Sequence, residues 1–419
     1  MESPRILLVT ALFTPSRLIG ARRPERMAAQ LTARGWRVTV LTRPEACMTP
    51  LDAGREPAAG VEVVRAPAAE PSTWARRMIR TWRPGRAPSS PGAAAAPERA
   101  TTAPRRGTLD RIFSRLEFPD PLWGWRRSAP EAVAGRSFDV VLATVPPYSP
   151  APIGRAIARR SGAALVLDYR DPWTESPGVV AAPHVPPSLR ERHRAAEDAC
   201  LADARLVVGA THAIVRLLAP RTSCPVVFLP NAYARARIPT TARGDGSLVY
   251  VGSLSYGRDL SPVLRALADG ANGARLVYAG PHGASLTRLA RDLGLPAVVD
   301  DRGSVPHAQA LELLAAGSAG IVVVSEGYGY TLPGKLFDVL SAGRPVLLLG
   351  PTDGEAAGLV RERRLGWAHG FDDAAGIAAS VRAAVSGTAP EPAPLDEYAY
   401  EATGDRLDRE LRGLIRQGM

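Results

Sequence analysis

The chain has 419 residues, 46% of them hydrophobic, with Lys+Arg 52 against Asp+Glu 41 and a formal net charge of +11. That length allows two domains, each with its own core, and no apolar run approaches the ~20 residues of a membrane helix. Cys47, Cys200 and Cys224 lie far apart and form no C-x-x-C pair, which excludes a disulfide framework or zinc knuckle and points to a reducing, cytoplasmic compartment.

The prevailing rhythm is a short apolar strand, a Gly/Pro loop and an amphipathic helix, repeated along the chain. Residues 5–12 read as a first buried strand rather than a signal peptide. The loop that follows, from Phe13 to Arg23, contains Gly20 and opens onto a helix, so its N–H groups suit an anion. That helix is predicted over 24–34, with Pro24 at its start and Gly35 beyond its end. Further strands are predicted over 37–41, 139–144, 164–168, 205–209 and 226–229.

Residues 71–130 hold twelve arginines against Glu98, Asp110, Glu117 and Asp120. No helix-turn-helix, zinc or basic-helix signature accompanies them, so nucleic acid is not an expected partner. The segment is better suited to an anionic ligand or lipid headgroups. Its centre, 84–107, has the composition of a disordered stretch. The flanks 74–82 and 109–116 mix apolar residues and arginines at helical spacing. They read either as an acceptor-side lid or peripheral membrane foot, or as helices packed on their own domain.

Two strand ends in this half carry chemistry: Thr144-Val145-Pro146-Pro147-Tyr148-Ser149 and Leu167-Asp168-Tyr169-Arg170-Asp171-Pro172-Trp173. An aspartate accepts sugar hydroxyls, an indole offers a pyranose its flat face, and an arginine holds a carboxylate or phosphate. Tyr148, Arg170, Asp171 and Trp173 are therefore candidate acceptor ligands. Asp171 is assigned to function and Asp168 to an internal ion pair.

Residues 231–246 read as a linker, and the strand–helix rhythm restarts at 247–251, 274–279, 297–299, 320–324 and 346–349. A last helix is predicted over 396–416. The domains are thus 1–230, 247–394 and a terminal helix over 395–419. In the second domain Gly252-Ser253-Leu254-Ser255-Tyr256-Gly257-Arg258 joins a strand to a helix, with Arg258 suited to a diphosphate. The stretch Glu326-Gly327-Tyr328-Gly329-Tyr330-Thr331-Leu332-Pro333-Gly334-Lys335-Leu336-Phe337-Asp338 is the strongest signal. Lys335 is the chain's single lysine; all other cations in the Lys+Arg total are arginine. A lysine kept against that bias marks a place that needs a compact ammonium. Asp338, at helical i,i+3 spacing, shares its face. The pair could divide phosphate and ribose between them, or simply neutralise each other.

Taken together these segments resemble the retaining glycosyltransferases of family 4. The resemblance rests on Ile6-Leu7-Leu8-Val9-Thr10, Arg34-Gly35-Trp36-Arg37-Val38, Leu229-Pro230-Asn231, Val251-Gly252-Ser253-Leu254, Glu326-Gly327-Tyr328-Gly329 and Leu340-Ser341-Ala342-Gly343-Arg344-Pro345-Val346. It covers essentially the whole chain. The resemblance implies an α/β fold of the GT-B type, with two Rossmann-like domains facing a cleft and a C-terminal helix crossing back to the first. It implies transfer of a hexose-type sugar, amino sugars included, from a nucleotide-diphosphate donor with retention, in glycan or natural-product biosynthesis. UDP is the first expectation for the base and GDP the second. No metal or other cofactor is implied, and the acceptor is a small or lipid-linked molecule.

Carried over residue by residue, Gly20, Gly252, Ser253, Arg258, Gly329, Tyr330, Thr331, Lys335, Leu336 and Asp338 would hold the donor. Lys335, Arg258, Asp171 and Glu326 would serve catalysis. The sequence departs from the family in two places. Ser253 stands where one cation of a basic pair is expected. Tyr330, not Glu326, lies at the family spacing from the second acid, which is itself Asp338 instead of glutamate. A sugar-nucleotide epimerase or hydrolase, and a non-catalytic nucleotide-binding relative, are the competing readings.

Overall fold

The computed structural model describes residues 3–52, 54–68, 118–177, 180–181, 185–233, 244–255, 257–268, 274–391, 393 and 395–418. The low-complexity stretch, its two flanking segments and most of the expected linker lie outside them. The chain divides into two compact units. The first takes the described residues up to Pro230 together with the chain from Glu401 onward; the second spans Asn231–Tyr400.

Unit 1 contains β1 (Arg5–Val9), β2 (Arg37–Thr42), β3 (Val61–Arg65), β4 (Val140–Val145), β5 (Ala164–Tyr169), β6 (Leu206–Gly209) and β7 (Val226–Phe228). They form one parallel sheet in the order β3-β2-β1-β4-β5-β6-β7. Its central strands are apolar on both faces because both faces are covered. Leu7 and Val9 of β1 enter one core with Trp125, Ile157, Leu201 and Ile214. Ile6 and Leu8, on the alternate face, enter another with Met27, Leu31, Leu407 and Leu411. The first face is covered by α2 (Trp125–Ala132), α3 (Pro150–Ser161), α4 (Pro187–Asp203) and α5 (His212–Leu218), the second by α1 (Arg22–Ala33) and the chain's final helix.

Unit 2 repeats the plan with β8 (Ser247–Val251), β9 (Arg275–Ala279), β10 (Val299–Asp301), β11 (Ala319–Val323), β12 (Val346–Leu349) and β13 (Gly366–His369), parallel in the order β10-β9-β8-β11-β12-β13. Its helices are α6 (Ser261–Ala268), α7 (Gly283–Asp292), α8 (His307–Ala316), α9 (Gly334–Ser341), α10 (Glu355–Glu362) and α11 (Ala374–Ser386). The final helix, α12 (Tyr400–Gly418), follows a short 3-10 turn at Asp396–Tyr398 and belongs to unit 1.

Every strand expected from the sequence is present, with ends shifted by up to three residues. Among the described residues two were missed: β3 and β13. Both are edge strands, and neither contains the continuous apolar run that marks a strand buried on both faces. In each sheet the order reverses at one point, between β1 and β4 and between β8 and β11. Ligands of open parallel sheets bind at the carboxyl ends of the strands flanking such a reversal.

Candidate nucleotide site and its counterpart in unit 1

In unit 2 the two loops singled out from the sequence leave the two strands that flank the reversal. The loop after β8 carries Gly252, Ser253 and Arg258; the loop after β11 carries Glu326 to Pro333 and runs into α9. The structure brings them together through Lys335. Its Nζ donates to Tyr250 Oη at 3.0 Å and lies 4.4 Å from the centre of that ring. A Cβ on Gly252 would stand 2.5 Å from the same Nζ, and φ of Gly252 is +116°. Glycine is favoured there by its backbone conformation, and its missing side chain leaves the space the lysine passes through. The amine's pKa falls to about 7, first because burial disfavours its charge and next because Arg258 repels it, while Asp338 pulls the other way.

The loop after β8 is held firmly. Tyr250 donates its hydroxyl proton to Ser253 O at 2.8 Å, and Tyr278 donates to Gly252 O at 3.0 Å. The two rings stack with centroids 6.0 Å apart. Ser253 Oγ lies 2.6 Å from Ser255 Oγ, and His282 Nδ1 accepts from Leu254 N at 3.2 Å. The Gly252 N–H donates to Ala279 O at 2.7 Å. The donor contact expected of Gly252 is thereby narrowed: its N–H extends the β8–β9 ladder, and what the residue supplies is space.

The second loop divides its residues. Leu336 is fully buried and its N–H bonds Pro333 O at 3.0 Å. Its expected donor contact therefore falls away, because it is a core residue of α9. Thr331 Oγ1 is turned onto Tyr328 O at 2.9 Å, and the Gly329 carbonyl receives Glu355 N at 2.7 Å. Glu326 is exposed, while Tyr330 is half-buried beside Tyr328. Asp338 meets His307 Nε2 at 3.0 Å, on the first residue of α8. The helix α9 starts without a side-chain cap and without an acid in its first turn, so nothing negative competes there with an anion.

The corresponding reversal in unit 1 is built differently. Asp168, fully buried, takes the Arg23 guanidinium through Nε at 3.1 and 3.0 Å and Nη2 at 2.7 Å, and Thr144 Oγ1 at 2.8 Å. Arg23 also donates to Leu229 O and Pro230 O. The pair ties α1, β4, β5 and the segment after β7 together and leaves Asp168 structural. Arg170 Nη1 donates to Gly20 O at 2.8 Å, and a Cβ on Gly20 would meet that nitrogen at 2.9 Å. Two residues expected on opposite substrates, Gly20 and Arg170, are thus joined.

Trp173 is fully buried, stacked on Tyr148 with centroids 5.1 Å apart, and its Nε1 donates to His193 Nδ1 at 3.0 Å. Tyr148 is itself 4% exposed, and its hydroxyl is directed to Pro172 O. That packing corrects the expectation that these rings form a sugar platform, since neither presents a face to solvent. Asp171 behaves otherwise. It is half-buried and accepts no hydrogen bond from the described residues; burial raises its pKa, with Arg170 opposing.

Sequence reasoning missed Tyr250, His307 and Arg23. Tyr250 lies two residues before Gly252, on the strand face shared with Leu248, and only its polar tip distinguishes it from core. Among the described residues no group of three or more His, Cys, Asp or Glu could hold a metal ion. Among them, too, no helix is long and apolar enough to cross a membrane.

No protein-family model matches the chain, and no curated protein matches it. Solved structures do. Sucrose-phosphate synthase from Thermosynechococcus elongatus matches with a TM-score of 0.65 at 14% identity, over 99% of this chain and 100% of that one. The lipopolysaccharide outer core galactosyltransferase WaaB matches with a TM-score of 0.58 at 11% identity, over 98% and 99%. A UDP-forming α,α-trehalose-phosphate synthase from Burkholderia xenovorans matches with a TM-score of 0.58 at 12% identity, over 98% and 100%. At such identities the likeness establishes the fold: the chain has the two-domain, Rossmann-like GT-B fold.

Proposed function

We propose that the protein is a glycosyltransferase that takes a nucleotide-diphosphate sugar in unit 2 and passes the sugar, of hexose type, to a hydroxyl of a small or lipid-linked acceptor held by unit 1. The observation that carries this reading is the convergence of Lys335, Arg258 and the Gly252 turn at the sheet reversal of unit 2. Cations gathered at that place, with an uncapped helix start beside them, suit a diphosphate. As the glycosidic bond breaks, negative charge grows on the leaving diphosphate. A fixed cation aimed at it lowers the barrier without reorganising.

Asp338, turned toward His307, takes the ribose hydroxyls in this reading, and Asp171 orients the acceptor. Transfer proceeds with retention, as the family 4 resemblance implies, and requires no metal. UDP is the first base to test; the trehalose-phosphate synthase of the same fold is described as UDP-forming. The test is release of nucleoside diphosphate from UDP- and GDP-sugars with and without candidate acceptors. Acceptor-dependent release supports transfer. Release without acceptor favours the hydrolase reading, and binding without turnover favours a non-catalytic relative.

A further inference from the structure

Lys335 rests on a phenol, whereas the buried cation of unit 1, Arg23, rests on a carboxylate. The Tyr250 hydroxyl gives its proton to Ser253 O and so turns a lone pair to the amine at 3.0 Å. Its ring backs the same amine at 4.4 Å. Tyr278, stacked behind it, fixes the neighbouring carbonyl of the same turn. The charged and titratable groups around the amine are Arg258 from the loop after β8, Asp338 one turn on in α9 and paired with His307 of α8, and Tyr250 from β8. The arginine opposes the ammonium and the aspartate favours it. A phenol is a weak partner for an ammonium compared with a carboxylate or a phosphate.

We infer that Tyr250 is a positioning residue for Lys335: it parks the amine over Gly252 against a neutral partner, from which an arriving diphosphate can take it. This rests on the reading of unit 2 as a nucleotide-diphosphate site. A consequence is proton-coupled binding. With the free amine at about 7, about nine in ten molecules carry it uncharged at pH 8. The phosphate oxygens favour the ammonium, so a proton enters the amine from solvent as the nucleotide binds. No other bond changes.

The test is calorimetric titration of the full chain with UDP, then GDP, dTDP and ADP, at pH 6 and pH 8 in buffers of different ionisation enthalpy. The phosphate's own last ionisation, near a pKa of about 6, is complete at the higher pH. Wild type is expected to take up close to one proton at pH 8 and much less at pH 6, with affinity falling as pH rises above 7. Lys335→Met loses the uptake at pH 8. Tyr250→Phe keeps the ring and the stack but removes the acceptor for the ammonium, so the fall in affinity begins at lower pH; a merely structural tyrosine would weaken binding equally at all pH values. Uptake that persists in Lys335→Met, or a Tyr250→Phe profile parallel to wild type, overturns the inference while leaving the nucleotide site standing. Binding of none of the four nucleotides removes the site and the inference together.

Discussion

The two sheet reversals present the same architecture with opposite electrostatic outcomes. In unit 1 the buried cation Arg23 is locked bidentate onto Asp168, and Arg170 is committed to Gly20 O. In unit 2 the half-buried Lys335 has a phenol for a partner and Arg258 as a repelling neighbour. A cation neutralised by a buried carboxylate maintains structure, because removing either partner strands a charge in a poor solvent. A cation held against a neutral group is poised for a ligand that brings its own negative charge. The contrast separates the two sites better than residue type does, since both are lined with basic side chains and glycine.

The largest expected effect falls on Lys335. Lys335→Ala should lower sugar transfer by about 10²–10³-fold with the unfolding curve unchanged or improved. Lys335→Arg should also be impaired, because the fork cannot occupy the space over Gly252 that a slender amine fills. Next comes unit 1. Arg23→Ala should cost about 3–5 kcal/mol by leaving Asp168 buried and unpaired, read by urea unfolding. Trp173→Ala should cost about as much through lost packing. A stable Trp173→Ala protein that had lost only acceptor binding would restore the sugar-platform role.

Asp171→Asn should reduce transfer by roughly tenfold through misplacement of the acceptor, with nucleotide affinity untouched. If stability falls instead, Asp171 belongs with Asp168.

A pH scan sharpens the comparison further. Burial holds the Lys335 pKa near 7, below its ordinary value of 10.5, so the unfolded chain binds more protons across that window. Burying the amine therefore destabilises the ligand-free fold fully below pH 7, and the penalty fades as pH rises toward the ordinary value. Lys335→Met should be more stable than wild type at pH 7, with the advantage shrinking by pH 10 in thermal melts. His193, buried against Trp173, has its pKa lowered to about 4 from 6.5, by desolvation first and Arg192 second. It works in the same sense at lower pH: stability is lost as pH falls from 6.5 toward 4, because the unfolded chain takes protons first. The smallest effect is expected at His307→Ala. This exposed partner of Asp338 should change stability by less than about 1 kcal/mol and nucleotide affinity only slightly.

Much of the fold was legible because a parallel sheet covered on both faces writes itself as short apolar runs between Gly/Pro loops. That signal fails at two of the edges, where β3 alternates Val61, Glu62 and Val63 and β13 offers Gly366, Trp367 and His369. The candidate site was legible at Lys335 because composition isolated it. It was not legible at Tyr250, whose role depends on a contact between β8 and α9, made by residues 85 positions apart. In the Asp168–Trp173 run, residue types could not separate packing from recognition. Asp168 and Trp173 proved buried and satisfied, whereas Asp171 accepts no hydrogen bond from the described residues. Only the third dimension shows which polar groups have already found partners.

The central claim is that Lys335 is the diphosphate ligand of unit 2. Titration of wild type and Lys335→Ala with UDP, GDP, dTDP and ADP at pH 7 tests it most directly. At least one nucleotide should bind wild type and bind the variant about tenfold more weakly or worse. Equal affinity in the two proteins would contradict the claim and return the chain's one lysine to compositional chance.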